Sequence, residues 1–250
     1  MKYNISLDSD IAKFGIGLFE TIKIYKGIPI LLDKHLDRMY NSINELNISF
    51  KTCKMNLKKT ITNYVKDIEY KALRVTVFDD GYTFLLRDIQ YQESDYTNGY
   101  KLKISPIIRG KSIIYRHKTI SYIENIYSKK DAIKSGFDES LFINMDNKIL
   151  EGSMSNIFFI KDDKIYTPCK DLDILAGIIR QEVIDIAKDL NIDVIEREIR
   201  IEEVHDFDFC FITNSLMDIM RVRQIENVEY SNTSELFSTI EKSFKEKYYG

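Results

Sequence analysis

The chain has 250 residues, 44% hydrophobic, 30% charged and 12% aromatic, with only three Pro and ten Gly. That describes one large or two modest globular domains and excludes collagen-like, linker-rich and disordered classes. The balance of 36 basic against 39 acidic residues leaves a net charge of -3, which argues against a nucleic-acid or membrane-surface binder.

No apolar run approaches the roughly 18 residues of a membrane span, and residues 1–10 hold no apolar signal-peptide core. Cys53, Cys169 and Cys210 stand far apart without CxxC spacing, so free thiols in a reducing cytoplasm are expected. In chain order, Leu18–Tyr25 is β-favouring and predicts a strand, followed by a Lys26-Gly27 turn and a short strand over 28–32. Asp33 is expected to cap a helix with apolar positions Leu36, Met39, Tyr40, Ile43 and Leu46, spaced three and four apart. Asn56 is expected to cap a second, carrying Leu57, Ile61, Tyr64, Val65 and Ile68. Strands follow over 72–78, 82–87 and 100–105, the first two joined by Asp80-Gly81.

Pro106 and Gly110 interrupt the pattern, so the expected division is a small two-layer α/β domain over 1–105, a loop over 106–115, and a larger domain over 116–250. The second half begins with a helix over 121–135 stopped by Gly136. Strands over 140–144, 156–160 and 164–167 precede a helix over 178–190 ending at Asn191. Strands over 193–199, 207–213 and 219–225 lead to a last helix near 235–248. Strands with helices outside them predict a barrel-like or strongly curved sheet.

There is no GxSxG elbow, GxxxxGK[ST] loop or HExxH, and His35, His117 and His205 are too scattered to predict a metal site. Four features carry more weight together than singly. Lys118 sits between a strand end and a helix. Glu151 opens Glu151-Gly152-Ser153-Met154-Ser155-Asn156 ahead of a strand. Gly177-Ile178-Ile179-Arg180 opens a helix whose exposed N–H groups favour an anion. Thr213-Asn214-Ser215 ends a strand with three hydrogen-bonding side chains. Singly, a lysine is ordinarily solvated and Thr-Asn-Ser is ordinary turn chemistry.

In order and spacing, these features resemble the class IV pyridoxal-phosphate enzymes, which include branched-chain and D-amino-acid aminotransferases and aminodeoxychorismate lyase. The stretch from Glu151 through Asn156-Ile157-Phe158, Ile165-Tyr166-Thr167 and Ile174-Leu175-Ala176-Gly177-Ile178-Ile179-Arg180 matches the family signature. Phe14-Gly15-Ile16-Gly17-Leu18-Phe19-Glu20-Thr21 resembles its first loop and strand, and His35-Leu36-Asp37-Arg38 its HxxR helix. The resemblance implies a two-domain fold type IV protein of mixed α+β (α/β) class with pyridoxal 5′-phosphate as cofactor. It also implies a small-molecule substrate, a homodimer and no metal.

By resemblance, Lys118 holds the cofactor aldehyde as a Schiff base and then acts as a base. Glu151 keeps the pyridine nitrogen protonated. The phosphate would take donors from Arg38, the N–H groups of Ile178 and Ile179, and the hydroxyl of Ser215 or Thr213. Ser155, Asn156 and Asn214 complete the implied cofactor set. Two positions depart from the family pattern: Ile16 stands where an Asp is usual, and Ile179 where a hydroxyl residue is usual. The second implies weaker cofactor binding.

Three observations resemble the lyase more than the aminotransferases: Phe19 with Thr21, the run Asn214-Ser215-Leu216-Met217, and Asp79-Asp80-Gly81 where D-amino-acid aminotransferases place cations. The implied reaction converts 4-amino-4-deoxychorismate to 4-aminobenzoate and pyruvate. Thr21 would help deliver a proton, and Phe19, Arg109 and Arg116 would contact substrate. A class IV aminotransferase, or a non-catalytic protein that holds the cofactor, are the alternatives.

Overall fold

The computed structural model describes Ile5 to Gly250. Residues 1–4, part of the segment read above as lacking a signal-peptide core, lie outside the described residues. The chain divides into two compact units, one of residues up to Gln90 with His117–Tyr122, the other of Tyr91–Arg116 with Ile123–Gly250.

The first unit contains α1 (Asp10–Phe14), β1 (Leu18–Tyr25), β2 (Ile28–Pro29), α2 (Leu32–Glu45), α3 (Lys54–Val65), β3 (Tyr70–Phe78) and β4 (Gly81–Arg87). Its antiparallel sheet runs β2-β1-β3-β4. Alternation along β1 sends Leu18, Ile22 and Ile24 to one face, where they pack with Leu36, Met39 and Ile43 of α2 and Leu57, Ile61 and Val65 of α3. These residues are almost wholly buried, so truncating one such as Leu36 to Ala is expected to cost about 2–5 kcal/mol. The segment 117–122 belongs here because its backbone pairs with the start of β1. The Phe19 N–H donates to the Lys118 carbonyl at 2.9 Å and the Ile120 N–H to the Gly17 carbonyl at 3.0 Å.

Two helix starts differ from expectation. Leu31, in a left-handed conformation at φ 56, ends the hairpin and occupies the N-cap of α2, which leaves the expected strand over 28–32 only two residues long. Asp33 instead lies in the first turn and pairs with Lys58 at 2.7 Å, where a carboxylate still complements the helix dipole. Cys53, not Asn56, is the N-cap of α3.

The second unit contains α4 (Glu93–Asn98), β5 (Tyr100–Ile104), α5 (Ile123–Lys134), β6 (Glu139–Ile143), β7 (Ile149–Gly152), β8 (Asn156–Lys161) and β9 (Lys164–Pro168). It continues with α6 (Ile178–Asp189), β10 (Val194–Arg197), β11 (Phe209–Asn214), β12 (Asp218–Ile225), β13 (Val228–Glu229) and α7 (Glu235–Tyr249). The sheet runs β10-β9-β8-β11-β12-β5-β6-β7, with β13 on β12. Because β7 at one end also lies against β8 and β9, the sheet curls into the barrel-like form the sequence predicts. Inside it pack Leu141, Ile157, Phe159, Ile212, Met220 and Val222.

The division differs from the expected one on both sides of 106–115: residues 91–105 belong to the second unit and 117–122 to the first. β5 pairs in parallel with β12 and β6, so it is an inner strand of the second sheet rather than the last strand of the first. Parallel pairing joins strands distant in sequence, and no local pattern marks it. Among the described residues no helix is long and apolar enough to cross a membrane. All three cysteines are free.

Candidate active site

In the first unit, the odd residues of β1 face away from the apolar core. Phe19 and half-buried Thr21 therefore share one face. Lys118 Nζ lies 4.5 Å from the centre of the Phe19 ring and within 3.5 Å of the Tyr122 hydroxyl. Tyr122 meets Phe19 edge to face at 5.1 Å. Arg74, the cross-strand partner of Thr21, lays its guanidinium 3.6 Å from the same ring. The lysine thus has an aromatic wall and a phenol, and a second cation shares the Phe19 ring.

The even residues of β1 face the helices, and one of them is charged. Glu20 is 1% exposed. It accepts from Arg38 Nε at 2.8 Å and Nη2 at 2.6 Å, and from His35 Nδ1 at 2.7 Å. A carboxylate only accepts, so this His35 nitrogen carries the proton. Burial pushes the Glu20 carboxyl up, but the charges and hydrogen bonds of Arg38 and His35 outweigh it and hold the group at about 2. Burial lowers His35, against the pull of Glu20, so the ring stays neutral. The expected phosphate ligand Arg38 is therefore locked in orientation by Glu20.

In the second unit, Glu151 on β7 is buried, with Oε1 accepting from Arg109 Nη1 at 2.9 Å and Oε2 from the Leu175 N–H at 3.0 Å. Asn156 Nδ2 donates to the Leu175 carbonyl at 3.0 Å and stands 3.5 Å from Glu151 Oε2. Across the ladder, Asn156 faces Thr213. Two glycines make room. A Cβ on Gly177 would meet Asn156 Oδ1 at 1.7 Å, and one on Gly152 would meet Ser155 Oγ at 2.2 Å. Gly177 caps α6 with no side-chain cap bond, and buried Ile178 and Ile179 follow it. Glu151, Ser155, Asn156, Gly177–Ile179 and Thr213 thus come together.

Asn214 is used otherwise. Its Oδ1 accepts from the N–H groups of Leu216 and Met217, and its Nδ2 donates to the Tyr91 hydroxyl, which fixes the turn. Ser215 lies half-buried within that turn. The two expected substrate cations have other partners. Arg109 is 2% exposed and committed to Glu151 and Asn125. Half-exposed Arg116 bonds Asp173 at 2.8 Å through both Nε and Nη2. His205 is exposed, and no group of three metal-ligating side chains occurs among the described residues.

Sequence reasoning passed over Glu20, Arg74, Tyr122 and Asn125. Glu20 had a signal: it falls in phase with Leu18, Ile22 and Ile24, so alternation alone places it on the buried face. Arg74 had none, since its place opposite Thr21 is fixed only by strand pairing.

The donor set fits a phosphorylated pyridine. The hydroxyls of Thr213 and Ser155 are buried with no hydrogen-bond partner, an uncapped helix N-terminus adjoins them, and a buried carboxylate suits a protonated ring nitrogen. Lys118 in the first unit, and the buried carboxylate with its anion cradle in the second, are groups of the kinds a pyridoxal-phosphate enzyme uses.

The model of the amino-transferase class IV family matches residues 17–225, and the chain belongs to that family. It is 28% identical over 253 residues to an aminodeoxychorismate lyase of Bacillus subtilis, covering 94% of this chain and 86% of that protein. It is 30% identical over 272 residues to a probable branched-chain-amino-acid aminotransferase of Aquifex aeolicus, covering 98% and 86%. A putative 4-amino-4-deoxychorismate lyase from Legionella pneumophila has the same fold, with a TM-score of 0.91, 23% identity, and coverage of 98% of this chain and 96% of that one. The protein is a pyridoxal-phosphate-dependent enzyme of fold type IV, a lyase or an aminotransferase.

Proposed function

We propose that this enzyme is an aminodeoxychorismate lyase, converting 4-amino-4-deoxychorismate to 4-aminobenzoate and pyruvate. The observation that carries the reading is the face of β1 beside Lys118, where Phe19 and Thr21 stand together. The similarity to the Bacillus subtilis lyase over 94% of the chain supports it.

Bound pyridoxal phosphate supplies an aldehyde that joins to amines and a ring that draws electrons from them. Lys118 Nζ would hold the aldehyde and, as a free amine, would take the proton from the amine-bearing carbon of the substrate. Thr21 Oγ1 passes a proton toward the departing pyruvate unit. Glu151 keeps a negative charge against the ring nitrogen. Arg38, the N–H groups of Ile178 and Ile179, and the Thr213 hydroxyl would hold the phosphate, with Ser155 and Asn156 beside them and Asn214 acting through the turn that carries Ser215. Phe19 lies against the substrate. With Arg109 and Arg116 paired elsewhere, Arg74 is the cation we assign to a substrate carboxylate.

We also propose that the enzyme works as a homodimer in the cytoplasm. The exposed Ile123, Ile126, Tyr127 and Ile133 of α5 support an interface between copies. The second reading, a branched-chain aminotransferase, is favoured by the 30% identity to the Aquifex aeolicus protein.

The two reactions separate in one assay. Incubation with aminodeoxychorismate, formed in situ from chorismate by its synthase, is expected to give equal amounts of aminobenzoate and pyruvate. Branched-chain L-amino acids, D-alanine and glutamate are expected to convert little cofactor to its amine form. Rapid conversion by an amino acid with no aminobenzoate would move the assignment to an aminotransferase. Failure of both with the cofactor bound would favour a protein that only holds it.

A further inference from the structure

Arg109 is seated with more care than a structural arginine needs. Its backbone N–H donates to the Ile143 carbonyl at 3.0 Å. Its guanidinium lies 3.6 Å from the Phe142 ring centre and 4.4 Å from that of Tyr115. Nη2 faces Asn125 Oδ1 at 3.3 Å, and Nε stands 3.6 Å from Glu124 Oε2. Asn125 is itself fixed, since its Nδ2 donates to the Ser153 carbonyl at 2.7 Å, which turns its oxygen toward the arginine. All of this aims Nη1 at Glu151 Oε1.

The electrostatics explain why such a seat matters. A carboxylate as buried as Glu151 needs a partner for its charge, because solvent no longer supplies one. A neutral acid is no counter-ion for a protonated pyridine nitrogen. The guanidinium keeps its charge in any protein setting, and an adjacent permanent cation holds the carboxylate ionised and lowers its affinity for the ring's proton. The Leu175 N–H on Oε2 fixes the carboxylate plane.

We infer that Arg109 is a positioning residue for the reaction: it holds Glu151 ionised and in plane, so that the ring nitrogen of bound pyridoxal phosphate stays protonated. This rests on the reading of Glu151 as the ring's partner.

The test uses holoenzyme loaded with pyridoxal phosphate carrying 15N in the ring, whose nitrogen chemical shift separates protonated from neutral pyridine. Wild type is expected to give the protonated signal. Arg109→Met is expected to give the neutral signal and to weaken cofactor binding about tenfold or more, the scale on which partners of a ligating residue act. A protonated signal in folded Arg109→Met would overturn the inference.

If Arg109→Met does not fold, Arg109→Lys carries the test. The ammonium keeps the charge but loses the fork, so the signal should stay protonated while the cofactor dissociates several-fold faster. A neutral ring, or unchanged dissociation, would overturn it. Glu151→Gln distinguishes the underlying reading: a wild-type shift unaltered by that change means that Glu151 is not the ring's partner, and both claims fall.

Discussion

Glu20 grips Arg38 through two oxygens, with Arg38 Nε at 2.8 Å and Nη2 at 2.6 Å, in a pocket where the carboxylate is 1% exposed. Removing one partner of so buried a pair leaves the other charge without compensation. Glu20→Gln is therefore expected to cost about 3 kcal/mol at pH 7. The folded carboxyl is depressed from 4.5 to about 2, so its stabilisation is complete above 4.5 and is lost as pH falls through about 2. His35 acts in the same direction. Its lowered value means that the unfolded chain takes up a proton first on acidification, which removes stability below 6.5. Denaturant melts at several pH values check this: the slope between pH 5 and 2 should flatten in Glu20→Gln, and an unchanged slope would contradict the pairing.

Thr213→Val should separate cofactor binding from stability. The Thr213 hydroxyl is buried with no hydrogen-bond partner, so replacing it with a methyl is expected to leave the apoprotein's melting temperature equal or higher. Cofactor affinity should fall by roughly tenfold, the weight of a hydrogen bond to a charged group. A loss of apoprotein stability with normal affinity in a cofactor titration would place the phosphate elsewhere.

Ile179→Thr is expected to move the two quantities in opposite directions. Ile179 is buried at the start of α6, so trimming it should lower apoprotein stability by about 1 kcal/mol. The new hydroxyl should tighten cofactor binding by roughly 0.5–1.5 kcal/mol. Unchanged or weaker affinity would show that no phosphate lies at this helix start.

Gly177→Ala probes the room made for Asn156. The backbone there, at φ -67, suits alanine, so any effect is steric: the new Cβ would sit 1.7 Å from Asn156 Oδ1. Asn156 must turn away, and its contacts with Leu175 and Glu151 go with it. The expected outcome is about 1–3 kcal/mol of overpacking cost, together with weaker cofactor binding. Normal melting and binding would mean that Asn156 has another rotamer available at no cost.

What the sequence reveals depends on how local each signal is. Leu18–Tyr25 is legible to the residue because β-favouring side chains run between clear turns. The Ile178 start of α6 is marked by Gly177 and the periodic residues after it. β7 is missed because its four residues are buried on both faces and so show no alternation. The place of β5 is missed because its partners are set by parallel pairing. In the candidate site, Lys118, Glu151 and Thr213 stand out as motif positions. The partnership of Arg109 with Glu151 spans 42 residues, and nothing in the intervening chain points from one to the other. Arg109 therefore reads from sequence as a cation for substrate, and only the packing of Phe142, Tyr115 and Asn125 shows where it is aimed.

The central claim is that Lys118 carries the cofactor, and borohydride reduction of the loaded enzyme followed by peptide mapping tests it most directly. The expected result is one reduced pyridoxyl group, on the peptide containing Lys118, and none in Lys118→Ala. Label on another lysine, or no label after the cofactor is added to wild type, would contradict the account.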